Sequence, residues 1–469
     1  VGGTIECICH DCPVVDHTGV GWSIKTGGAI PCDHRRKMVQ IFHPNLDLPW
    51  CYGDHGCTSN EVSSLVNRHL TPITETSDEV LRLCYNVLQP IIEHCKGVEK
   101  MTAAELISTR PQRMKRRYRN ALSLDLKPVH GTVNLFIKFE KKEDPTKAPR
   151  AIQFRATPYT ARLAKYIIPI EKRMYQVIDG VNHGFPIIAK GLNALERGCI
   201  IADMYAKYVK PSVYLIDHSK FDSCVNIKLL KLEHHVYNSV FKDTFLRFLL
   251  KQQLKNLGRS RNGLYYRCEA RRMSGDANTA SGNCLINYAL LRVKFGPRAI
   301  IFLDGDDSVV FMPEDVDVDF SDTGMSSKIN IVYALEDIEF CQSKPVLTTE
   351  GHIMCRDPIR ALSRSIYKLG ALPPNWRDYL ATIGIGEGLC SPHMPIIQSM
   401  AERFREFGGS YKWYFSEYRP NMQNCKMGFL PPTQESRVSF DQSYNIDGLV
   451  QKEMEIRISR MVLNPELFN

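Results

Sequence analysis

Two apolar runs, Ile300–Leu303 and Val309–Phe311, flank Asp304, Gly305, Asp306 and Asp307. Each run is too short for a helix and is bounded by turn residues, so the pattern predicts a buried hairpin tipped with carboxylates. "SVYLIDHSKFD" (212–222) likewise reads as a strand ending in acids, Asp217 and Asp222. Elsewhere the period is helical. Leu163, Tyr166, Ile167, Ile170, Met174 and Val177 recur at helical spacing after Tyr159, with a kink expected at Pro169. A helix-rich stretch over 226–257 is expected to end at Gly258, a second helix at Gly296, and "MPIIQSMAERFREF" reads as another. "VNLFIKFE" and "RAIQFR" predict strands around a charged turn, and "GLYYRCEARRMSGD" a hairpin running into a turn. "SSKINIVY" and "DIEFCQSKPV" fit either two short strands or a helix and a strand. Strands and helices mix without regular βαβ alternation, so the class is α+β.

Composition narrows this only a little. The 469 residues leave room for two or three domains, and no repeat or low-complexity tract is present. A net charge of +9 fits a polyanionic partner without requiring one. The basic cluster "RPQRMKRRYRN", with Lys115, Arg116 and Arg117, is either a solvated helix face or an RNA-facing one. No apolar run approaches the roughly 18 residues that span a bilayer. The chain starts at Val1, which suggests a processed, read-through or truncated product whose membrane anchor, if any, lies outside this sequence. The 16 cysteines are scattered, and reduced thiols in a cytosolic setting are the default. In the Cys- and His-rich first 60 residues, Cys7, Cys9, His10, Cys12, His17, Cys32 and His34 could supply four ligands to a zinc ion. Their spacing is not a repeated C-x₂-C pair, so purely structural cysteines are the competing expectation.

Carboxylates packed at an apolar tip repel one another, and their pKa values rise unless something positive neutralises them. A solvated Asp-Gly turn is the ordinary explanation. The chemical one is that two adjacent strands bring Asp217 and Asp306 within reach of shared divalent cations, for which hard oxygen ligands favour Mg²⁺, with Mn²⁺ also accepted. Two such ions, roughly 3.5–4 Å apart, activate an attacking hydroxyl and stabilise the leaving oxygen in an in-line phosphoryl displacement. Other parts of such a site are present. "RRMSGDANTASGN" (271–283) is a Gly/Ser turn at a helix start, carrying Ser274, Thr279 and Asn283. Lys138, Lys141, Lys142, Lys147, Arg150 and Arg155 are cations for a triphosphate, and Lys328 is a candidate proton donor to pyrophosphate.

In order and spacing, "APRAIQFRATPY", "DHSKFD", "RRMSGDANTASGNCL", "DGDD" and "EDIEFCQSKPV" resemble the motifs of viral RNA-dependent RNA polymerases, more narrowly those of tombusviruses and carmoviruses, over roughly residues 105–360. The resemblance implies a right-hand polymerase with an antiparallel palm sheet, copying a positive-strand RNA genome. It divides the chain into an N-terminal extension and fingers-associated region (1–100), fingers (101–204, with the arginine motif at 147–158) and palm (205–225). A fingers insertion (226–268), more palm (269–347), and the thumb and C-terminal region (348–469) follow. Asp217 and Asp306, supported by Asp307, would bind the metals, and Lys328 would be the general acid. Asp222 and Asn283 would recognise the ribose 2′-hydroxyl. Ser274, Gly275 and Thr279 would form the loop that follows template and nucleotide, with Arg150, Arg155 and Lys138 gripping the triphosphate. Cys341 and its neighbours would support the primer strand. Implied partners are template and nascent RNA, NTPs, other viral replication proteins and host membranes, the last two through segments outside this chain, at replication complexes in the host cytoplasm. Two departures stand out: Asp304 where the family pattern expects Asn, and Ser223-Cys224 where it expects Gln-His. A reverse transcriptase would share the paired aspartates and metals, but DNA synthesis offers no 2′-hydroxyl for Asp222 and Asn283. A non-catalytic RNA-binding protein would leave Asp217, Asp306 and Asp307 without a purpose.

Overall fold

The computed structural model describes residues 4–30, 34–43, 45–412 and 429–468. The acids sit on a four-stranded sheet: β1 (Ser212–His218), β2 (Ile300–Asp304), β3 (Asp307–Met312) and β4 (Ser327–Val332). Its order is β2-β3-β1-β4, antiparallel throughout. Alternate side chains enter two separate cores. Tyr214, Ile216, Ile301, Leu303 and Val310 face a layer of helices that includes α1 (Asp78–His94), α3 (Ile227–Phe241) and α4 (Thr279–Phe295), numbered with α2 (Ala194–Ala206) between them. Val213, Ile300, Phe302, Val309 and Phe311 pack with Ile201 and Met204 of α2 and with Phe340. Burial on both faces is why the hairpin reads as continuous apolar runs rather than alternation.

A second sheet has six strands, in the order His17–Gly19, Trp22–Lys25, Tyr265–Glu269, Lys255–Ser260, Val133–Ile137, Ala151–Arg155. Its one parallel contact is between Val133–Ile137 and Lys255–Ser260. Beyond its two strands in this sheet, the amino end is woven in at two more places: Lys37–Gln40 pairs with Tyr367–Leu369, and Phe42–His43 with Val462–Leu463.

Two expectations change, and one open alternative is decided. The helix-rich stretch divides into α3 and Thr244–Lys251, and Gly258 lies inside a strand. A Cβ there would fall 2.0 Å from the Tyr266 ring, so close packing, not a helix stop, explains the glycine. The helix carrying Pro169 runs Thr157–Met174, leaving Val177 exposed beyond its end. "SSKINIVY" forms β4, and "DIEFCQSKPV" ends in the strand Ser343–Thr348, so both segments contain strands.

Candidate active site

The acidic hairpin turns in two residues, with Asp304 and Asp307 as its closing pair. Gly305 takes φ 77° while Asp306 keeps a negative φ, the sign pattern of a type II′ turn that needs glycine first. Asn287 of α4, fully buried, holds the turn by donating to the carbonyls of Gly305 (3.0 Å) and Asp306 (3.2 Å). Its Oδ1 accepts from His218 Nε2 at 3.1 Å, and His218 Nδ1 accepts from Ser327 at 2.7 Å. Burial pushes the His218 pKa down to about 4, so this link between helix and sheet is made by a neutral imidazole.

Register aligns the chemistry. Ser308 pairs with Ile216, so one step further Asp307 lies opposite Asp217, and Asp217 pairs on its other side with Lys328. Opposed residues share a face. Asp304, Asp307, Asp217 and Lys328 therefore form one row across β2-β3-β1-β4, with Asp306 at the turn beside it. Asp304 is neutralised by Lys190 and by Arg197, whose Nη2 lies 2.6 Å away, and these cations hold its carboxyl below the usual range. Asp306 and Asp307 remain open to solvent, but the surrounding protein desolvates them enough to dominate their titration. Desolvation first, and then Asp306, Asp304 and Asp217, push Asp307 up to about 6; Asp306 is raised by desolvation and by Asp217. Under-neutralised carboxylates of this kind fit hard divalent cations. Their oxygens are spread along the row: among the described residues, only Cys9, His34 and His55 bring three such donor atoms within 4.8 Å of one another.

Beside the row, Asn283 donates to Asp222 at 2.9 Å and accepts from Arg272 Nε at 2.9 Å. Arg272 is ion-paired with the fully buried Glu233, which also accepts from Asn278 at 2.6 Å. Burial raises the Asp222 pKa despite these donors. The loop before α4 is pinned to the Ala151–Arg155 strand: Gly275 N donates to Gln153 O at 2.7 Å, Gln153 N to Ser274 Oγ at 3.2 Å, and Thr279 Oγ1 to Met273 O at 2.8 Å. A Cβ on Gly275 would meet Gln153 O and Phe154 Cβ at 2.7 Å.

The cations divide into two groups. Lys138 and Arg150 flank Glu140, at 2.8 and 3.4 Å, and are about half exposed. Arg150 lies within Coulombic reach of Asp306. Arg155 corrects the expectation that it grips a triphosphate. Its side chain is 1% exposed, pairs with Asp276 at 2.9 Å, and also donates to Gly131 O and Asn256 Oδ1. Lys141 and Lys142 are likewise used inside the protein, Lys141 on Tyr367 O (2.9 Å) and Lys142 on Asp54 (2.7 Å). Lys115, Arg116 and Arg117 lie on the Gln112–Ser123 helix, packed against Thr157–Met174, with Arg117 donating to Thr157 at 2.7 Å; among the described residues no ion pair joins them to the acidic row.

Sequence reasoning missed Arg68. It sits on a π-helical turn, Leu65–His69, where its charge interacts with Arg150, Asp222 and Asp306. Such turns cluster at functional sites, but they are not readable from composition. Asn287 had a signal, one helical turn beyond Asn283 on the same face. A cavity of about 470 Å³, lined by Lys138, Lys141, Cys341, Arg356, Arg360 and Arg364, reaches toward the row through Cys341, whose thiol feels the charge of Asp307. Of the expected zinc ligands, Cys9 and His34 come together at 3.1 Å, while Cys7 and Cys12 do not join them. Cys7 packs among Met38, Ile41 and Phe42, where burial pushes its thiol up to about 11, and Cys32 lies outside the described residues.

Residues 59–466 match the family model for viral RNA dependent RNA polymerases, and the chain belongs to that family. Among curated relatives, the RNA-directed RNA polymerase of turnip crinkle virus is 32% identical over 375 residues, 72% of this chain and 48% of the relative. That of carnation mottle virus is 29% identical over 402 residues, 79% of this chain and 52% of the relative. The RNA-directed RNA polymerase of melon necrotic spot virus is 34% identical over 287 residues, 56% and 36% of the two chains. The chain thus spans about half the length of the first two.

Proposed function

We propose that this chain performs RNA-templated RNA synthesis, joining NTPs to an RNA 3′-hydroxyl during replication of a positive-strand RNA genome. The observation that carries the reading is the row Asp307–Asp217–Lys328 beside the Asp306 turn. When bound, two divalent cations, Mg²⁺ or Mn²⁺, supply the charge that activates the attacking hydroxyl and stabilises the leaving oxygen. Asp217, Asp306 and Asp307 would hold them. Arg150 and Lys138, with Arg68 behind, bind triphosphate oxygens through charge-assisted hydrogen bonds. Lys328, exposed at the end of the row, donates a proton to departing pyrophosphate. A ribose 2′-hydroxyl both donates and accepts, so it can enter the existing bond between Asn283 and Asp222. In this reading the central sheet is the palm and the six-stranded sheet the fingers. The 271–279 loop follows the template, and the basic Gln112–Ser123 helix faces RNA. Work alongside other replication proteins at membranes of the host cytoplasm belongs to the same reading, and imaging of the tagged protein in infected cells tests it.

The deciding experiment is extension on an RNA template with NTPs or dNTPs, comparing wild type with Asp222→Ala. Buried polar groups that lose a partner can discriminate by about 10⁴-fold. Wild type should show a preference of that order for NTPs, and the variant a preference at least tenfold smaller. If Asp222 only orients Asn283, both substrates fall alike and the ribose assignment fails. Incorporation independent of template would overturn the function itself.

A further inference from the structure

Far from the acidic row in sequence, three soft donors meet and a fourth lies beside one of them. Cys9 Sγ lies 3.1 Å from His34 Nε2 and 3.4 Å from Cys57 Sγ. Donor atoms of Cys9, His34 and His55 all fall within 4.8 Å of one another, and the two imidazoles stack with centroids 4.7 Å apart. His55 is 5% exposed, and its buried Nδ1 has no hydrogen-bond partner among the described residues. A buried polar atom left in that state is costly unless something else engages it.

We propose that Cys9, His34, His55 and Cys57 bind one zinc ion in a tetrahedral Cys₂His₂ site. Zinc bonds of about 2.3 Å to sulfur and 2.0–2.1 Å to nitrogen imply ligand–ligand edges of about 3.4–3.8 Å, so Cys9 already lies near such an edge from His34 (3.1 Å) and Cys57 (3.4 Å), and the Cys57 thiol closes on the two histidines when the ion binds. Two thiolates and two imidazoles select zinc over the hard cations that suit the carboxylate row. On binding, each cysteine gives up its thiol proton to solvent and the charges of Zn²⁺ and two thiolates cancel; nothing is oxidised or reduced.

The backbone prepares the site before any metal arrives. Ile8 N donates to Gly53 O at 2.8 Å and His55 N to Ile8 O at 3.1 Å, which sets Cys9 beside the 55–57 loop. Asn60, fully buried, donates to Ile8 O (3.0 Å) and His55 O (2.9 Å) and accepts from His10 N (2.7 Å). Gly56, between two of the ligands, admits Arg36, whose guanidinium would lie 3.1 Å from any Cβ there. Arg36 in turn donates to Asp54 O at 3.0 Å and to Ile137 O at 2.7 Å. Tyr52 and Lys142 exchange backbone hydrogen bonds of 2.8 and 3.0 Å. The ion would thus fasten the amino end to the segment joining the strands that precede and follow Lys138 and Arg150. All four ligands precede residue 59, where the family match begins.

The test uses the full chain, purified under reducing conditions from zinc-supplemented medium. Elemental analysis should find about one zinc per chain, lost in Cys9→Ser/Cys57→Ser and kept in Cys12→Ser, whose thiol is outside the cluster. Because the double variant can misfold, wild type is also alkylated with iodoacetamide and mapped by mass spectrometry. Cys9 is solvent-exposed, so its protection together with Cys57, released by a chelator while Cys12 reacts throughout, supports the site. Zinc-free wild type, zinc retained by the double variant, or a chelator-resistant Cys9–Cys57 disulfide would each overturn it.

Discussion

Asp304 and Asp306 are two residues apart and have opposite environments. Asp304 is held by Lys190 and Arg197, whereas Asp306 sits with its charge opposed by Asp217. The hairpin was legible because its apolar runs bracket the acids, but the difference between those acids was not, because Lys190 and Arg197 arrive from more than a hundred residues away. The carboxylate that stands where the resemblance leads one to expect Asn is the one the protein neutralises itself. Asp306→Asn should therefore cut incorporation by at least about 10²-fold, the scale of losing one preorganised charged group, while RNA affinity, set by backbone cations, largely survives. Asp304→Asn should cost less than tenfold. It also removes a charge that raises Asp307, so the acid limb of the rate profile should move to lower pH. Steady-state incorporation across pH for both variants checks this, and equal losses would dissolve the distinction.

At the scale of elements, the Ala151–Arg155 strand and the turn before it separate two arginines that look alike in sequence. Arg150 precedes the strand and stays half exposed beside Glu140, while Arg155, at its far end, is buried with Asp276. Alternation along the strand could have warned of this, but the partner lies 121 residues away, in the loop before α4. Gly258 misled for a similar reason: its meaning depends on the Tyr266 ring across the hairpin. Local pattern found strands and helices, and distant partners decided what their ends do. Arg150→Ala should raise the KM for NTP by about 10- to 100-fold, the worth of a charge-assisted hydrogen bond, with little change in Tm. Arg155→Ala should destabilise the fold by about 3–5 kcal/mol by stranding a buried carboxylate, leaving KM nearly unchanged in whatever remains folded. Thermal melts paired with NTP titrations separate the two, and a KM effect at Arg155 larger than at Arg150 would reverse the assignment.

For the whole molecule, the recognisable blocks covered roughly 105–360, yet the family match runs over 59–466 and the first strands pair with segments as far away as Val462–Leu463. Such pairings leave little trace in short apolar runs, so the ends were illegible while the centre was clear. The cost of gathering acids at that centre is itself a property of the whole fold. Asp307 titrates at about 6 in the folded chain, above the ordinary aspartate value, and Asp306 is raised too. Between about pH 4 and 6 the folded chain holds more protons than the unfolded one, so without metal these groups make stability fall as pH rises through that window. At pH 7 the repulsion is fully present, and a divalent cation relieves it. At pH 5 Asp307 is largely protonated and must release that proton before it can bind, which weakens the cation's hold. Mg²⁺ should therefore raise Tm more at pH 7 than at pH 5, since a ligand stabilises according to its affinity for the folded state. Asp307→Asn removes the proton at issue and should shrink the difference. Scanning calorimetry at both pH values, with and without Mg²⁺, tests the argument, and equal gains at the two pH values in wild type would show that the acidic row does not bind the cation.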